Sequence, residues 1–244
     1  MEPILKCEDI SISFGGVHAV NHVNMEIERG ELVGLIGPNG SGKSTTVNLI
    51  SGVYKLDDGK ISFKGQHIPR NMDIVHRAHL GIGRTFQTPK PFGNLSVYDN
   101  ILSIALLKDG FREAHRKTQE ILARTRLEPV QDMLSAKLPI ERRKWLDMAR
   151  ILVTGADFVM LDEALAGLNS TEMDESLELI REINAEGVTI LFIEHIMRAV
   201  VNLCDRVIVL NNGRNLCEGK PAEVLKRPEV IEAYIGGGKF NVAT

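Results

Sequence analysis

Residues 37–45 read GPNGSGKST, directly after the apolar run ELVGLI and directly before TVNLISGVY. Strand, glycine-rich loop and helix in that order form the setting that a phosphate-binding loop requires. The glycines Gly37, Gly40 and Gly42 let successive backbone amides converge on oxygen anions, with Pro38, Asn39 and Ser41 between them. The helix entered at Ser44 and Thr45 directs its positive end at the same point. Lys43 adds a full charge near the terminal phosphates, and Ser44 offers a hydroxyl to Mg²⁺. A glycine-rich turn alone would be structural; with Lys-Ser behind it, the loop reads as a nucleoside triphosphate site.

Further along, FVMLDE at 158–163 is an apolar strand that delivers Asp162 at its carboxyl end and Glu163 just beyond. A carboxylate at Asp162 suits the water shell of Mg²⁺, and Glu163 can reach a water in line with the γ-phosphate. By itself such an acid pair is equally a solvated turn; the phosphate loop upstream favours the chemical reading. His195 in LFIEHIM follows another buried-looking strand, and alone it would be a structural histidine. Gln87 in GRTFQTPK is by default a surface amide, yet one able to bond Mg²⁺ or the attacking water.

The whole chain has the size and balance of an ordinary globular protein. Its 244 residues suit one domain with an inserted lobe or two domains, and 43% hydrophobic with 25% charged residues is average. A formal net charge of -3 gives no broad attraction to nucleic acid or anionic lipid, so any polyanion must be bound locally. Cys7, Cys204 and Cys217 lack metal-ligand spacing and read as buried reduced thiols. The amino end carries acids where a signal peptide needs a basic head, and no apolar run approaches roughly 20 residues. The chain is expected neither to cross a membrane nor to enter a secretory route on its own.

Periodicity divides the chain into three regions. Residues 1 to about 35 alternate apolar and polar and read as strands, with Gly15-Gly16 and Arg29-Gly30 as breakers. Strands resume at GKISFKG after a turn at Asp57-Asp58-Gly59. From about 94 to 152 the spacing becomes helical and predicts a helical insertion. Beyond it, DFVMLDE, VTILFIEH and RVIVLNNGR alternate with helical stretches, the rhythm of a parallel sheet.

The phosphate loop, RTFQ, the helical insertion, LDE, AGLN and EH together resemble the ATP-binding cassette (ABC) ATPases over nearly the whole chain. FGGVHAVNHV, GIGRTFQTPKPF, LSVYDNIL, AGLNSTE and RPEVIEAYIG look more closely like the ATPases of branched-chain amino acid importers, the LivG-like group. The resemblance implies one 1–244 ABC ATPase domain of α/β class. Its P-loop NTPase (RecA-like) core would carry an N-terminal antiparallel β subdomain and an inserted α-helical subdomain at about 94–152. It implies ATP and Mg²⁺, with Lys43 and its loop holding phosphates and Ser44, Gln87 and Asp162 organising the metal. Glu163 would polarise the attacking water, and His195 would contact the γ-phosphate. Phe14 would stack on adenine with Val20 nearby, although Phe14 is otherwise an ordinary strand residue facing the core.

The same resemblance gives Ala166–Asn169 to the contact between two cassettes and 88–100 to a helix of an integral membrane permease subunit. Partners would be the permease, a sister ATPase and, indirectly, a periplasmic or extracellular solute-binding protein, with no nucleic acid. The place would be peripheral, on the cytoplasmic face of the cell membrane. Two other tasks stay open: an ATPase for lipid or lipopolysaccharide export, and an ATP-sensing module that does no transport.

One segment departs from the family. Where a cassette reads LSGGQ and binds the partner's γ-phosphate, this chain reads LPIER at 138–142, so only Leu138 matches. Pro139 lacks both hydroxyl and amide hydrogen, and Ile140 and Glu141 put side chains where glycines allow close backbone approach. A carboxylate about 4 Å from a phosphate charge is repelled by roughly 4 kcal/mol at an effective dielectric near 20. The segment reads instead as a helix start in which Trp145, Ala149 and Leu152 pack while Arg142, Arg143 and Lys144 face water. A chain that completes its own half-site but offers little to its neighbour's is expected to pair with a sister cassette rather than with itself. Ala164, Ile196 and Ser170 replace a usual Pro, Asp and Pro, which bears on how the two cassettes close.

Overall fold

The structure, a computed structural model, describes residues 2–236; Met1 and residues 237–244 of the expected domain lie outside the described residues. Strand β1 (Leu5–Phe14) turns through Gly15 and Gly16, both at positive φ, into β2 (Val17–Ile27). β3 (Leu32–Ile36) then leads through the phosphate loop into helix α1 (Lys43–Ser51). β4 (Asp58–Phe63), β5 (Gln66–Ile68), α2 (Ile74–Leu80) and β6 (Ile82–Arg84) follow. Helices α3 (Val97–Ala105), α4 (Phe111–Arg124) and α5 (Ile140–Leu152) occupy the region of helical spacing. The chain closes with β7 (Phe158–Asp162), α6 (Ser170–Ala185), β8 (Thr189–Ile193), α7 (Met197–Leu203), β9 (Arg206–Asn211), β10 (Arg214–Gly219), α8 (Pro221–Val224) and α9 (Pro228–Gly236).

Two sheets result. The first is antiparallel in the order β2-β1-β4-β5, and the second runs β10-β9-β3-β8-β7-β6. All neighbours in the second are parallel except β10 on β9. Every residue of β3, β7 and β8 is buried, as parallel strands covered on both faces require. The pleat sends alternate residues to opposite sides. Val33, Leu35, Met160 and Leu191 join α1 and the first sheet in one apolar cluster. Ile36, Val159, Leu161 and Phe192 join α3 to α7 in the other.

Asp57-Asp58-Gly59 is not the expected turn. The chain leaves α1 at Gly52, and β4 has already begun at Asp58. Gly59, at φ 86°, sits in a β-bulge against β1, where the register shifts between Glu8 and Ser11. A Cβ on Gly59 would lie 2.4 Å from the Asp9 carbonyl, so the glycine serves the bulge and the reversal comes earlier.

The far end of α1 is locked by Arg77 of α2, a residue only 1% exposed. Its Nη1 donates to the carbonyls of Leu49 at 2.6 Å and Ile50 at 2.9 Å, while Nε donates to Met72 O at 3.1 Å. A cation there supplies a charged donor to carbonyls of the last helical turn, where Leu49 O otherwise has only the 3.3 Å bond from Gly52 N, and complements the negative end of the dipole. Cys7 and Cys204 are buried thiols, as expected, while Cys217 is only half-buried. Among the described residues no helix is long and apolar enough to cross a membrane.

Candidate functional site

The loop at 37–45 is shaped by contacts that only glycine permits. Gly37, at φ 152°, would place a Cβ 2.2 Å from Leu210 O, and Gly42, at φ 100°, would place one 2.6 Å from Ala19 O. α1 starts at Lys43 with Gly42 as its N-cap and no side-chain cap, so its first-turn N–H groups are presented to a ligand. Lys43 Nζ donates to the Gly37 carbonyl at 2.7 Å and the Pro38 carbonyl at 3.0 Å, which holds the ammonium across the loop mouth. Burial lowers its pKa, opposed by the negative charges of Glu163 and Asp162. An open cleft of about 550 Å³ lies over the loop, lined among others by Val17, His18, Asn39, Ser44, Glu163 and Asn212.

The fully buried strand β7 ends at Asp162 and delivers Glu163 to this cleft. Glu163, at φ 49°, turns the chain just past β7 and is pinned at three points. Its N–H donates to Ile193 O at 2.9 Å, its carbonyl accepts from Lys144 Nζ at 2.9 Å, and its Oε2 accepts from Gln87 Nε2 at 2.5 Å. Asp162, 9% exposed at its side chain, accepts from Arg84 Nη2 at 2.9 Å through Oδ2. Arg84 also donates to Asn48 Oδ1 at 2.5 Å, tying the acid strand to α1. Sequence reading passed over Arg84 although it lies three residues before Gln87 in GRTFQ; a cation between two buried strands was the available signal.

Glu194 was missed as well. It is 1% exposed, and its Oε1 accepts from Leu165 N at 2.9 Å while Oε2 accepts from His195 N at 3.3 Å. Burial pushes its carboxyl up, opposed by the Leu165 N–H and His195. The carboxylate thus joins the end of β8 to the turn after Glu163. An acid directly after a fully apolar strand was the clue.

The structure brings Lys43, Ser44 and Glu163 to one cleft and attaches Gln87 through Glu163. His195 stands exposed at the end of β8, outside the residues lining that cleft. Phe14 is 45% exposed rather than core, and its ring meets Tyr54 edge-on at 5.2 Å. Val20 is fully buried beneath Gly42, so the apolar side chain open to solvent beside the loop is Val17. Inward-facing alternation on β2 decides this difference.

The segment 138–145 starts a helix, with Pro139 at the N-cap and Trp145, Ala149 and Leu152 buried. The expectation that Arg142, Arg143 and Lys144 face water is not met. Arg142 lies over the Trp145 ring at 4.0 Å and donates to Arg126 O at 3.1 Å. Arg143 donates to Leu138 O at 2.8 Å, and Lys144 reaches Glu163. Long stems let these cations cross apolar surface to backbone carbonyls. Glu141 is 6% exposed with Oε1 unbonded, and burial pushes its carboxyl up while Arg142 opposes. Asn169 of AGLN caps α6 in a reciprocal box with Glu172.

Residues 20–166 match the protein family described as ABC transporter, and residues 214–239 match the one described as Branched-chain amino acid ATP-binding cassette transporter. The chain is 36% identical to the high-affinity branched-chain amino acid transport ATP-binding protein LivG of Escherichia coli, covering 96% of this chain and 98% of that one. It is 35% identical to the probable LivG of Archaeoglobus fulgidus, covering 96% and 95%. The ADP conformation of MJ1267, an ATP-binding cassette of an ABC transporter, superposes with a TM-score of 0.88 at 31% identity, covering 97% of this chain and 100% of that one. Sheet order, uncapped phosphate loop and relatedness along nearly the full length agree: the chain belongs to the ATP-binding cassette ATPases of ABC transporters, within the LivG group.

Proposed function

We propose that this ATPase drives an importer for branched-chain amino acids or related small solutes, together with membrane permease subunits. The observation that carries the chemistry is the Gln87–Glu163 hydrogen bond at the cleft over an uncapped α1, which sets a carboxylate beside a phosphate cradle. Lys43 and the first-turn amides hold the triphosphate. Glu163 accepts a proton from the attacking water, and Gln87 orients that carboxylate. Ser44 and Asp162 offer oxygen donors of the type Mg²⁺ prefers, with Gln87 adding its amide oxygen. The exposed Ser44 hydroxyl in the cleft supports that fit. When bound, Mg²⁺ neutralises charge developing on the phosphates. His195 contacts the γ-phosphate once the cleft closes.

Residues 88–100, which lead into the helical subdomain at about 94–152, receive a helix of the permease on the cytoplasmic face of the membrane. Exposed Phe92 and Leu95, 49% and 37% accessible, support this docking. Pairing is with a sister cassette carrying an intact signature, because Pro139 caps a helix and Glu141 is buried where glycine amides would be needed. A solute-binding protein selects the cargo. The test is to purify the full chain from membranes, identify what accompanies it, and measure ATP turnover alone and with the co-purified cassette. Low turnover alone that rises on mixing is expected. Rapid turnover by the chain alone, with no permease recovered, would overturn the reading.

A further inference from the structure

Lys144 has an unusual task. Its ammonium is half-buried, and among the described residues it joins no carboxylate in a salt bridge. Instead Nζ donates to the backbone carbonyl of Glu163 at 2.9 Å. Burial lowers its pKa, with Glu194, Glu163 and Asp147 opposing, so a charge is retained here at a desolvation cost. The carbonyl it reaches belongs to a residue at φ 49°, a left-handed conformation that a non-glycine residue adopts only when its surroundings enforce it. Among the described residues the other donor to that oxygen is Ala166 N at 3.2 Å, a longer contact. Lys144 lies on α5 three positions after Glu141, so it joins the start of the signature-region helix to this chain's own carboxylate.

We propose that Lys144 is a positioning residue for hydrolysis, whose ammonium fixes the strained backbone of Glu163 and thereby aims the carboxylate paired with Gln87. The inference rests on the role proposed above for Glu163. It also has a consequence for communication between the cassettes. A shift at the start of α5, the place of the family's signature segment, is transmitted through one hydrogen bond to the turn that holds Glu163.

The test uses the full chain, its co-purified partners and two substitutions. Lys144→Met keeps the stem and removes the donor; Lys144→Arg keeps a donor. Amide hydrogen exchange across residues 163–168 is read first, since it needs no turnover. Lys144→Met is expected to speed exchange there by about tenfold, and Lys144→Arg to restore protection. In the assembled complex Lys144→Met is expected to lower kcat by about tenfold with KM for ATP within about twofold, and Lys144→Arg to recover most of it. Unchanged exchange and unchanged kcat in Lys144→Met would overturn the proposal. So would a loss of kcat that Lys144→Arg leaves unrepaired while ATP affinity falls in step, the pattern of a damaged core. If Glu163→Gln keeps full turnover while the exchange result stands, the assignment of Glu163 fails and the backbone contact survives.

Discussion

Gln87 Nε2 donates to Glu163 Oε2 at 2.5 Å, joining the segment after β6 to the turn after β7 across 76 positions of sequence. Replacing Glu163 by Gln keeps the size and a hydrogen-bonding oxygen but removes the carboxylate proposed as the base. Turnover is expected to fall by about 10²–10³-fold while ATP affinity stays within about twofold. Steady-state hydrolysis and calorimetric nucleotide binding, run on the same preparation, check both halves.

Arg77 closes the far end of the nucleotide-binding helix. Arg77→Met removes the charged donor from the Leu49, Ile50 and Met72 carbonyls, of which Leu49 keeps only its 3.3 Å bond from Gly52 N. A loss of about 3 kcal/mol is expected, read as a lower urea midpoint at unchanged slope. Arg77→Lys should recover only part of it, because one ammonium cannot reproduce the spread of a planar guanidinium. Full recovery by lysine would show that charge alone matters.

Cys7 gives a pH dependence of definite sign. Burial pushes its thiol from the ordinary 9.0 up to about 12, with Arg77 opposing. Between those values the unfolded chain loses the proton and the folded one keeps it, so stability present below pH 9.0 is lost as pH rises toward about 12. The slope for this one group is at most about 1.4 kcal/mol per pH unit. Denaturation curves compared with Cys7→Ala across that window should show a shallower alkaline fall in the variant. Parallel falls would remove the thiol as the cause.

The sequence at 138–142 supplies a gain-of-function experiment. Restoring most of the family pattern with Pro139→Ser, Ile140→Gly and Glu141→Gly returns one amide hydrogen, bares the backbone at two positions and removes a carboxylate. Turnover by the chain alone is expected to rise at least about tenfold, even though each glycine costs α5 about 1 kcal/mol of helical stability. A chain that folds, binds ATP and shows no rise would point away from self-pairing through this surface.

The glycine-rich loop, the acids at the end of β7 and the strand rhythm were legible because each is local. Glycine conformation, helix polarity and alternation are set within a few residues. Residues 158–163 fix by themselves that Asp162 ends a buried strand. Nothing local in RRK distinguishes a side chain bathed in water from one stretched to a distant carbonyl. Lys144 meets Glu163 only because α5 packs beside the turn after β7. Val20 and Val17 are likewise the same residue type in one strand, and the pleat of β2 decides which is buried. Arg84 and Glu194 were overlooked for a related reason: a buried charge is recognised by its partners, and Arg84 finds Asp162 on β7 while Glu194 finds Leu165 in the turn after it.

The sequence by itself determined that this chain carries a glycine-rich loop entering a helix and two carboxylates at a strand end on a parallel α/β core, and that its signature segment lacks the glycines of its family. Tertiary structure alone decided which long-range bonds hold those carboxylates: Gln87 on the side chain, Lys144 on the backbone and Arg84 on the neighbouring acid. The physical reason is range. Backbone preference is fixed over a few residues, whereas a hydrogen bond requires two groups to meet within about 3 Å, and for residues far apart in sequence only packing brings that about.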